Sequence, residues 1–300
     1  MTKTNRGKIL VTLDGSDRAL EAVRYISRFP TLRDKQIVLL TIISTIPEVY
    51  WDLQAQPQYS ERLREIRAWQ TSSQMAIEGY MERARQELVN QGFGEESVVS
   101  EIREQKSGIA RDIIREAKRG YEAVVAGRKG SGRLRELVLG SVAWKLLEKV
   151  EFVPLFLIGR GPKPGKILIA VDGSDLSMKT VNVVGEMLTG WSDCKLGMVH
   201  VIRGEGKEHI EEGRNRIAPF FDDAKSRLDS LGVCPDRIVT KVITGVQSRA
   251  VAIVEEAREG GYGTIAMGRR GLSKRADFFM GRVSNKVVQL GRDLAIWIVS

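Results

Sequence analysis

The stretch KILVTLDGSD at residues 8–17 recurs, nearly unchanged, as KILIAVDGSD at residues 166–175. In both copies an aliphatic run stops at Asp-Gly-Ser, which is typical of a buried strand followed by a tight turn and a helix N-cap. A second pair follows, YEAVVAGRKG at residues 121–130 and YGTIAMGRRG at residues 262–271. A chain that repeats its own pattern in this way consists of two related units.

The two units differ in length. Asp14 and Asp172 are 158 residues apart, whereas Gly127 and Gly268 are 141 apart, so the first unit is longer by 17 residues. A length of 300 residues is also typical of two domains. The segment GPKPG at 161–165 is rich in glycine and proline, as linkers are. We therefore predict domains over residues 1–160 and 166–300, joined by residues 161–165.

The extra length lies near residues 46–70, a stretch that contains the aromatic residues Tyr50, Trp51, Tyr59 and Trp69. Three interpretations are open: a lid over a ligand, a surface for a partner, or an extended helix that packs on the sheet. The third is favoured because loop insertions cost little free energy.

Short aliphatic runs alternate with helix-period segments in both units. The predicted strands cover residues 9–13, 37–43, 98–102, 123–126 and 155–158 in the first unit, and 167–171, 196–202, 238–242, 264–268 and 294–299 in the second. Near-continuous aliphatic strands indicate a parallel sheet covered by helices on both faces. The fold class is therefore α/β, with two tandem doubly wound domains. In such sheets ligands bind beyond the carboxyl ends of the strands.

Composition excludes several classes of protein. Hydrophobic residues make up 42% and charged residues 28% of the chain, which is ordinary for a globular protein. The net charge of +9 favours anionic ligands, but acidic residues are interspersed with the basic ones, so nucleic-acid binding is not expected. Two cysteines, with no secretory signal and no apolar run long enough to cross a membrane, predict a cytoplasmic protein without a membrane partner.

A glycine pattern follows the fourth predicted strand of the first unit. Gly127 and Gly130 are separated by two residues, and nine more residues lead to Gly140 and Ser141, which begin a helix. Glycines let the backbone approach an anion, and a helix N-terminus offers unpaired amides to it. With Arg128 in the turn, the pattern favours a polyphosphate ligand, although glycines after a strand also occur simply because tight turns need them.

The second unit repeats the pattern with one departure. Gly268, Gly271 and Gly281 keep the spacing, but Arg282 stands where the first unit has a serine. Its guanidinium could pair with a phosphate, or it could fill the space of one. We favour the second interpretation, so the second site is expected to be weaker or empty.

With Asp14-Gly15-Ser16 and Asp172-Gly173-Ser174, these glycine signatures make the chain resemble a tandem universal stress protein. The resemblance spans nearly the whole chain except the aromatic insertion. It implies a five-stranded parallel sheet of order 3-2-1-4-5 in each unit. It also implies an ATP site, with Mg²⁺ as the accompanying ion, and a role as a stress-response regulator or sensor.

Within the resemblance, Gly127, Gly130, Gly140 and Ser141 would hold the triphosphate. Asp14 would lie near the ribose and adenine, and the backbone around Ile42 and Ile43 would contact the base. Asp172, Gly268, Gly271 and Gly281 carry over to the second unit by position. A purely structural role remains open for both aspartates, as turn and capping residues.

No catalytic residue is indicated by the sequence. The motifs of common nucleotide-dependent enzymes and metal sites are not present, and neither His200 nor His209 is placed as an obvious base. Any ATP hydrolysis is therefore expected to be slow. A nucleotide-independent interaction module remains the alternative, and in either case a protein partner is unidentified.

Both units end in an aliphatic strand, and family members commonly dimerise through that strand. Because an exposed aliphatic edge is prone to pairing, we predict that the two last strands pair with each other and form an intramolecular pseudo-dimer. The sequence does not decide whether whole chains dimerise further.

Overall fold

A computed structural model describes residues 7–44, 60–129, 139–271 and 280–300. The first half contains β1 (Lys8–Leu13), α1 (Asp17–Ser27), β2 (Gln36–Ile43), α2 (Ser60–Val89), β3 (Val98–Glu104), α3 (Ile109–Ala117), β4 (Ala123–Gly127), α4 (Ser141–Lys149) and β5 (Leu155–Ile158). The second contains β6 (Lys166–Ala170), α5 (Asp175–Leu188), β7 (Lys195–Arg203), α6 (Lys207–Ser230), β8 (Ile238–Val246), α7 (Arg249–Glu259), β9 (Thr264–Gly268), α8 (Arg282–Leu290) and β10 (Ala295–Val299).

The strands form one ten-stranded sheet in the order β3-β2-β1-β4-β5-β10-β9-β6-β7-β8. Read from its outer edge, each half has the predicted order 3-2-1-4-5, and all pairings within a half are parallel. The predicted fold class is thus confirmed. The order places the carboxyl ends of β1 and β4 side by side in the first half, and those of β6 and β9 side by side in the second. A doubly wound sheet binds its ligands at such a place.

The halves join where β5 pairs with β10 in the antiparallel sense, so the predicted pairing of the last strands is confirmed. Phe156 stands opposite Trp297 in this register, and their rings stack with centroids 4.1 Å apart. Phe29, two residues after the end of α1, packs edge-on against the partly buried Trp191 of the second half, with ring centroids 4.9 Å apart. Because Phe29, Phe156 and Trp297 are buried between the halves, the joint is a continuous core rather than a loose contact.

The aromatic insertion is only partly visible. Tyr50, Trp51 and Tyr59 lie outside the described residues, and the helix α2 begins at Ser60, within the insertion. Trp69 and Met75 are 65% and 66% exposed, whereas among the described side chains of α2 Ile77 packs against the core and Tyr80 is the first that is fully buried. The prediction that the inserted helix packs on the sheet is therefore wrong for Trp69.

No helix in the described part of the chain is long and apolar enough to cross a membrane.

Candidate functional site

The turn that follows β1 is organised by Asp14. Its Oδ1 accepts hydrogen bonds from the Ser16 amide (3.1 Å) and hydroxyl (2.6 Å), and Gly15 adopts a φ of 80°, which favours glycine. The Ser16 hydroxyl in turn accepts from the Ala19 amide at 3.2 Å and caps α1. Asp14 thus serves the turn, as the structural interpretation expected, while its side chain stays exposed at the ligand-binding edge of the sheet.

The glycine turn of the first half, which begins at Gly127, is joined by a backbone hydrogen bond to the start of α4. The Gly140 amide donates to the Arg128 carbonyl at 2.8 Å, which brings the residue after Gly127 against the helix N-terminus. Gly140 is the N-cap and has no side chain to satisfy the first-turn amides, and Ser141 is exposed beside them. The helix start, which no described side chain caps, therefore presents amides with a partial positive charge beside the end of β4. Gly130 lies outside the described residues.

The end of β2 lies next to that of β1, since Thr41 pairs in register with Leu13. Ile42 is buried, and the Ile43 carbonyl accepts from the Gln105 amide at 2.8 Å. The structure therefore places Ile42 and Ile43 one strand away from the Asp14 turn, at the same edge of the sheet.

In the second half, the turn that corresponds to the Asp14 turn has an additional hydrogen bond and lies against the glycine turn after β9. Asp172 Oδ1 accepts from the Ser174 amide and hydroxyl and also from the Ser177 hydroxyl, at 2.8 Å. A Cβ on Gly271 would lie 2.2 Å from Asp172 Oδ2, so a larger residue at 271 would have to displace this carboxylate. Asp172 and Gly271, which the sequence placed in one site, are indeed in contact.

The N-terminus of α8 also differs from that of α4. The Gly281 amide donates to the Arg269 carbonyl at 2.9 Å, matching Gly140 and Arg128. Arg282 is the exposed first residue of the helix. Ser284, two positions later, is buried and donates to the Gly268 carbonyl at 2.9 Å. This hydroxyl therefore holds the turn after β9 together and does not replace the serine that Arg282 displaces.

The position of the Arg128 side chain corrects the sequence interpretation. Arg128 is 4% exposed, and its guanidinium crosses to the other half, where it donates to the carbonyls of Val288 and Gly291 at the end of α8. The orphan carbonyls at a helix C-terminus are strong acceptors for a cation. The guanidinium is therefore engaged there instead of lying at the phosphate position.

Arg269 does the same in the opposite direction. It donates to the carbonyls of Leu147 and Val150 at the end of α4, and its Nε donates to the Ser300 hydroxyl at 2.7 Å. The contacts of Arg128 and Arg269 are equivalent under the 141-residue offset between the halves. Burial lowers the pKa of Arg128 to about 10, and nearby Arg292 adds to this, so the group stays charged at neutral pH. We call these two side chains the crossed arginines.

His200 is half-buried near the end of β7, where its Nδ1 donates to the Val171 carbonyl at 2.9 Å. Thr41 occupies the corresponding place in the first half. Burial lowers the pKa of His200, although the hydrogen bond and Asp172 oppose that shift. The imidazole is thus held neutral as part of the packing around the second site.

We expect this histidine to make the protein less stable in mild acid. The folded-state pKa lies below the unfolded value of about 6.5, so the unfolded chain takes up the proton first as the pH falls. The stabilisation is complete above about pH 6.5 and is lost as the pH decreases from there towards the folded-state pKa. His200→Thr should reduce the slope of the unfolding free energy against pH below about pH 6.5. An unchanged slope in this variant, compared with the unmodified protein by urea unfolding, would contradict this.

Among the described residues, no group of three or more histidine, cysteine, aspartate or glutamate side chains is arranged to hold a metal ion. Both cysteines are free thiols.

The fold and its two glycine turns define a protein of two tandem, flavodoxin-like α/β domains joined into one sheet. The chain belongs to the universal stress protein family, whose model matches residues 5–155 and 164–291.

Similar proteins agree with this assignment. A universal stress protein of Mycolicibacterium smegmatis is 26% identical, with 94% of this chain and 93% of that protein covered. The universal stress protein YxiE of Bacillus subtilis is 30% identical over 42% of this chain and 92% of its own length. The crystal structure of a universal stress protein from Archaeoglobus fulgidus has a TM-score of 0.66 at 16% identity and covers 99% of both chains. This last similarity concerns the fold.

Proposed function

We propose that the first half of the chain binds an adenine nucleotide, ATP with Mg²⁺, and that the protein is a cytoplasmic stress-response regulator or sensor. The observation that carries the proposal is the junction of Gly140 with Arg128, which sets the uncapped N-terminus of α4 against the end of β4. A glycine-lined helix N-terminus is suited to a phosphate chain because its amides need acceptors and its dipole favours negative charge.

The residues in this proposal have separate roles. Gly127, Gly130, Gly140 and Ser141 would hold the triphosphate, and Asp14 would lie at the ribose and adenine. The base would rest against the backbone at Ile42 and Ile43, one strand further along the same edge. Arg128 has a structural role in this scheme, since its guanidinium is committed to the end of α8.

We propose that the second site is weak or empty. Three hydrogen bonds from Ser174 and Ser177 engage Asp172 Oδ1, while Oδ2 lies against Gly271. The carboxylate thus lies between the turn after β6 and the turn after β9. Arg282 also replaces the small hydroxyl at the helix start. Both features would reduce the space for a nucleotide next to Gly268, Gly271 and Gly281.

A calorimetric titration of the purified protein with ATP and Mg²⁺ tests the proposal. We expect saturable binding together with a rise in thermal unfolding temperature, since a ligand at 100 times its Kd stabilises the folded state by about 2.7 kcal/mol. If saturating ATP produces neither heat nor stabilisation, the nucleotide-independent interaction module is the correct function. We assign no catalytic residue, and hydrolysis is expected to be slow.

A further inference from the structure

A basic cleft of about 590 Å³ lies between the halves, bordered by α1, the residues after β4 and β5, and the residues after α8. Its volume is within the range of small-molecule sites, roughly 300–1,000 Å³. Five basic and two acidic side chains line it, which gives a formal charge of +3. Because the guanidinium of Arg128 is bonded to the end of α8, the cations that could meet a ligand are Arg18, Lys129, Arg160 and Arg292.

The two acidic side chains of the basic cleft are engaged by arginines outside it. Glu21 pairs with Arg24 at 2.7 Å. Asp293 accepts from Arg258 through both carboxylate oxygens, at 2.7 and 3.3 Å, and this contact lowers its pKa. Cations outside the cleft therefore partly neutralise these two acids. As a result, the acids offset less of the positive charge of the five basic side chains than the formal charge of the cleft suggests.

Three of these cations form no ion pair with an acidic side chain in the described part of the chain. Arg18 and Arg160 form no ion pair with any described residue, and Arg292 donates to the Gln289 carbonyl at 3.4 Å. The proximity of Arg292 also contributes to the lowered pKa of Arg128, which indicates repulsion between like charges at this place. An anion in the cleft would relieve that repulsion.

The corresponding place on the other side of the molecule has a different character. There Glu151 takes the position of Arg292 and lies 3.7 Å from Arg270, the counterpart of Lys129. Leu176 takes the position of Arg18. The counterparts of Glu21 and Asp293 on that side are Lys179 and Phe152, so the other side is basic as well. What distinguishes the basic cleft is an arginine at each of the two positions that Glu151 and Leu176 occupy on the other side.

We propose that the basic cleft binds a short oligophosphate that carries no base. Several cations converge on it, which suits a multiply charged anion. Among its described lining residues no aromatic ring is present on which a base could stack. The proposal does not depend on nucleotide binding at Gly140 and Ser141.

The test is a calorimetric titration with inorganic tripolyphosphate at low salt. We expect saturable binding and a strong loss of affinity with added salt, because the attraction is between exposed charges. Arg292→Glu, which installs the residue found on the other side, should weaken binding about tenfold or more. Arg18→Glu should act in the same direction and should not disturb folding, since an acid suits the first turn of α1.

Two further variants distinguish the basic cleft from the other places where the anion could bind. Arg270→Glu makes the same charge change on the other side, and Ser141→Asp places a negative charge in the nucleotide site. Both should bind tripolyphosphate within about twofold of the unmodified protein, a difference of less than 0.5 kcal/mol. The proposal is overturned if Arg292→Glu has no effect, if Arg270→Glu weakens binding equally, or if Ser141→Asp abolishes it. The last result would place the anion at the glycine turn.

Discussion

Arg269→Ala is expected to lower the free energy of unfolding by about 3 kcal/mol. The guanidinium is 3% exposed and supplies the hydrogen bonds to the Leu147 and Val150 carbonyls at the end of α4. Truncation to alanine leaves both acceptors buried without their partner, at about 1–3 kcal/mol each. It also removes a contact that ties one half to the other. Chemical denaturation monitored by circular dichroism measures the loss.

The matched control is the neighbouring residue. The Arg270 side chain is 43% exposed, and its contact with Glu151 is long, at 3.7 Å. An exposed ion pair of this kind contributes about 0–1 kcal/mol, so Arg270→Ala should have little effect. Arg128→Ala should resemble Arg269→Ala, because the crossed arginines make equivalent contacts. If alanine at 269 and at 270 costs the same free energy, the role assigned to the crossed arginines is wrong.

Ser141→Asp is expected to weaken ATP binding by about 100-fold or more, because two like charges about 4 Å apart near a protein surface repel by roughly 4 kcal/mol. The exposed serine is the first residue of α4, beside the amides proposed for the phosphates. An acidic residue is favourable at a helix N-terminus, so the variant should fold as well as the unmodified protein. A loss of ATP binding would therefore reflect the added charge at the proposed phosphate site and not a loss of folding.

Lys145→Gln is the control for that variant. It changes the charge by the same single unit at an exposed position of the same helix, about one turn further from its N-terminus. We expect its Kd for ATP to remain within about threefold, a difference of less than 1 kcal/mol. Equal effects at 141 and 145 would indicate a general charge effect rather than a phosphate site at the start of α4.

The strands were predictable because they are short aliphatic runs that repeat at two offsets, whereas their order in the sheet followed only from the resemblance to universal stress proteins. The pairing of β5 with β10 followed from that resemblance together with the two aliphatic edges, which would otherwise be exposed. Local pattern is sufficient to locate the strands. It also located the turns at Asp14 and Gly140, since glycine and a capping serine have strong positional preferences.

The direction of the Arg128 side chain was not predictable in this way. Lying between two glycines, an arginine suggests a phosphate ligand, and only the joined sheet shows that carbonyls of α8, some 160 residues away, are within its reach. A signal existed nonetheless. Arg128 has a counterpart at Arg269, so if the two halves pair symmetrically, each arginine should contact the equivalent helix of the other half. The exposure of Trp69 was missed because residues 46–70 have no repeated counterpart for comparison.

The number of ATP molecules bound per chain tests the central claim most directly. Calorimetric titration with ATP and Mg²⁺ should give one tight site, which Ser141→Asp removes and Arg282→Ser leaves in place. A stoichiometry near one with this pattern is the predicted result. Two equivalent sites would contradict the assignment of the nucleotide to the first half, and no binding at saturating ATP would contradict the nucleotide site itself.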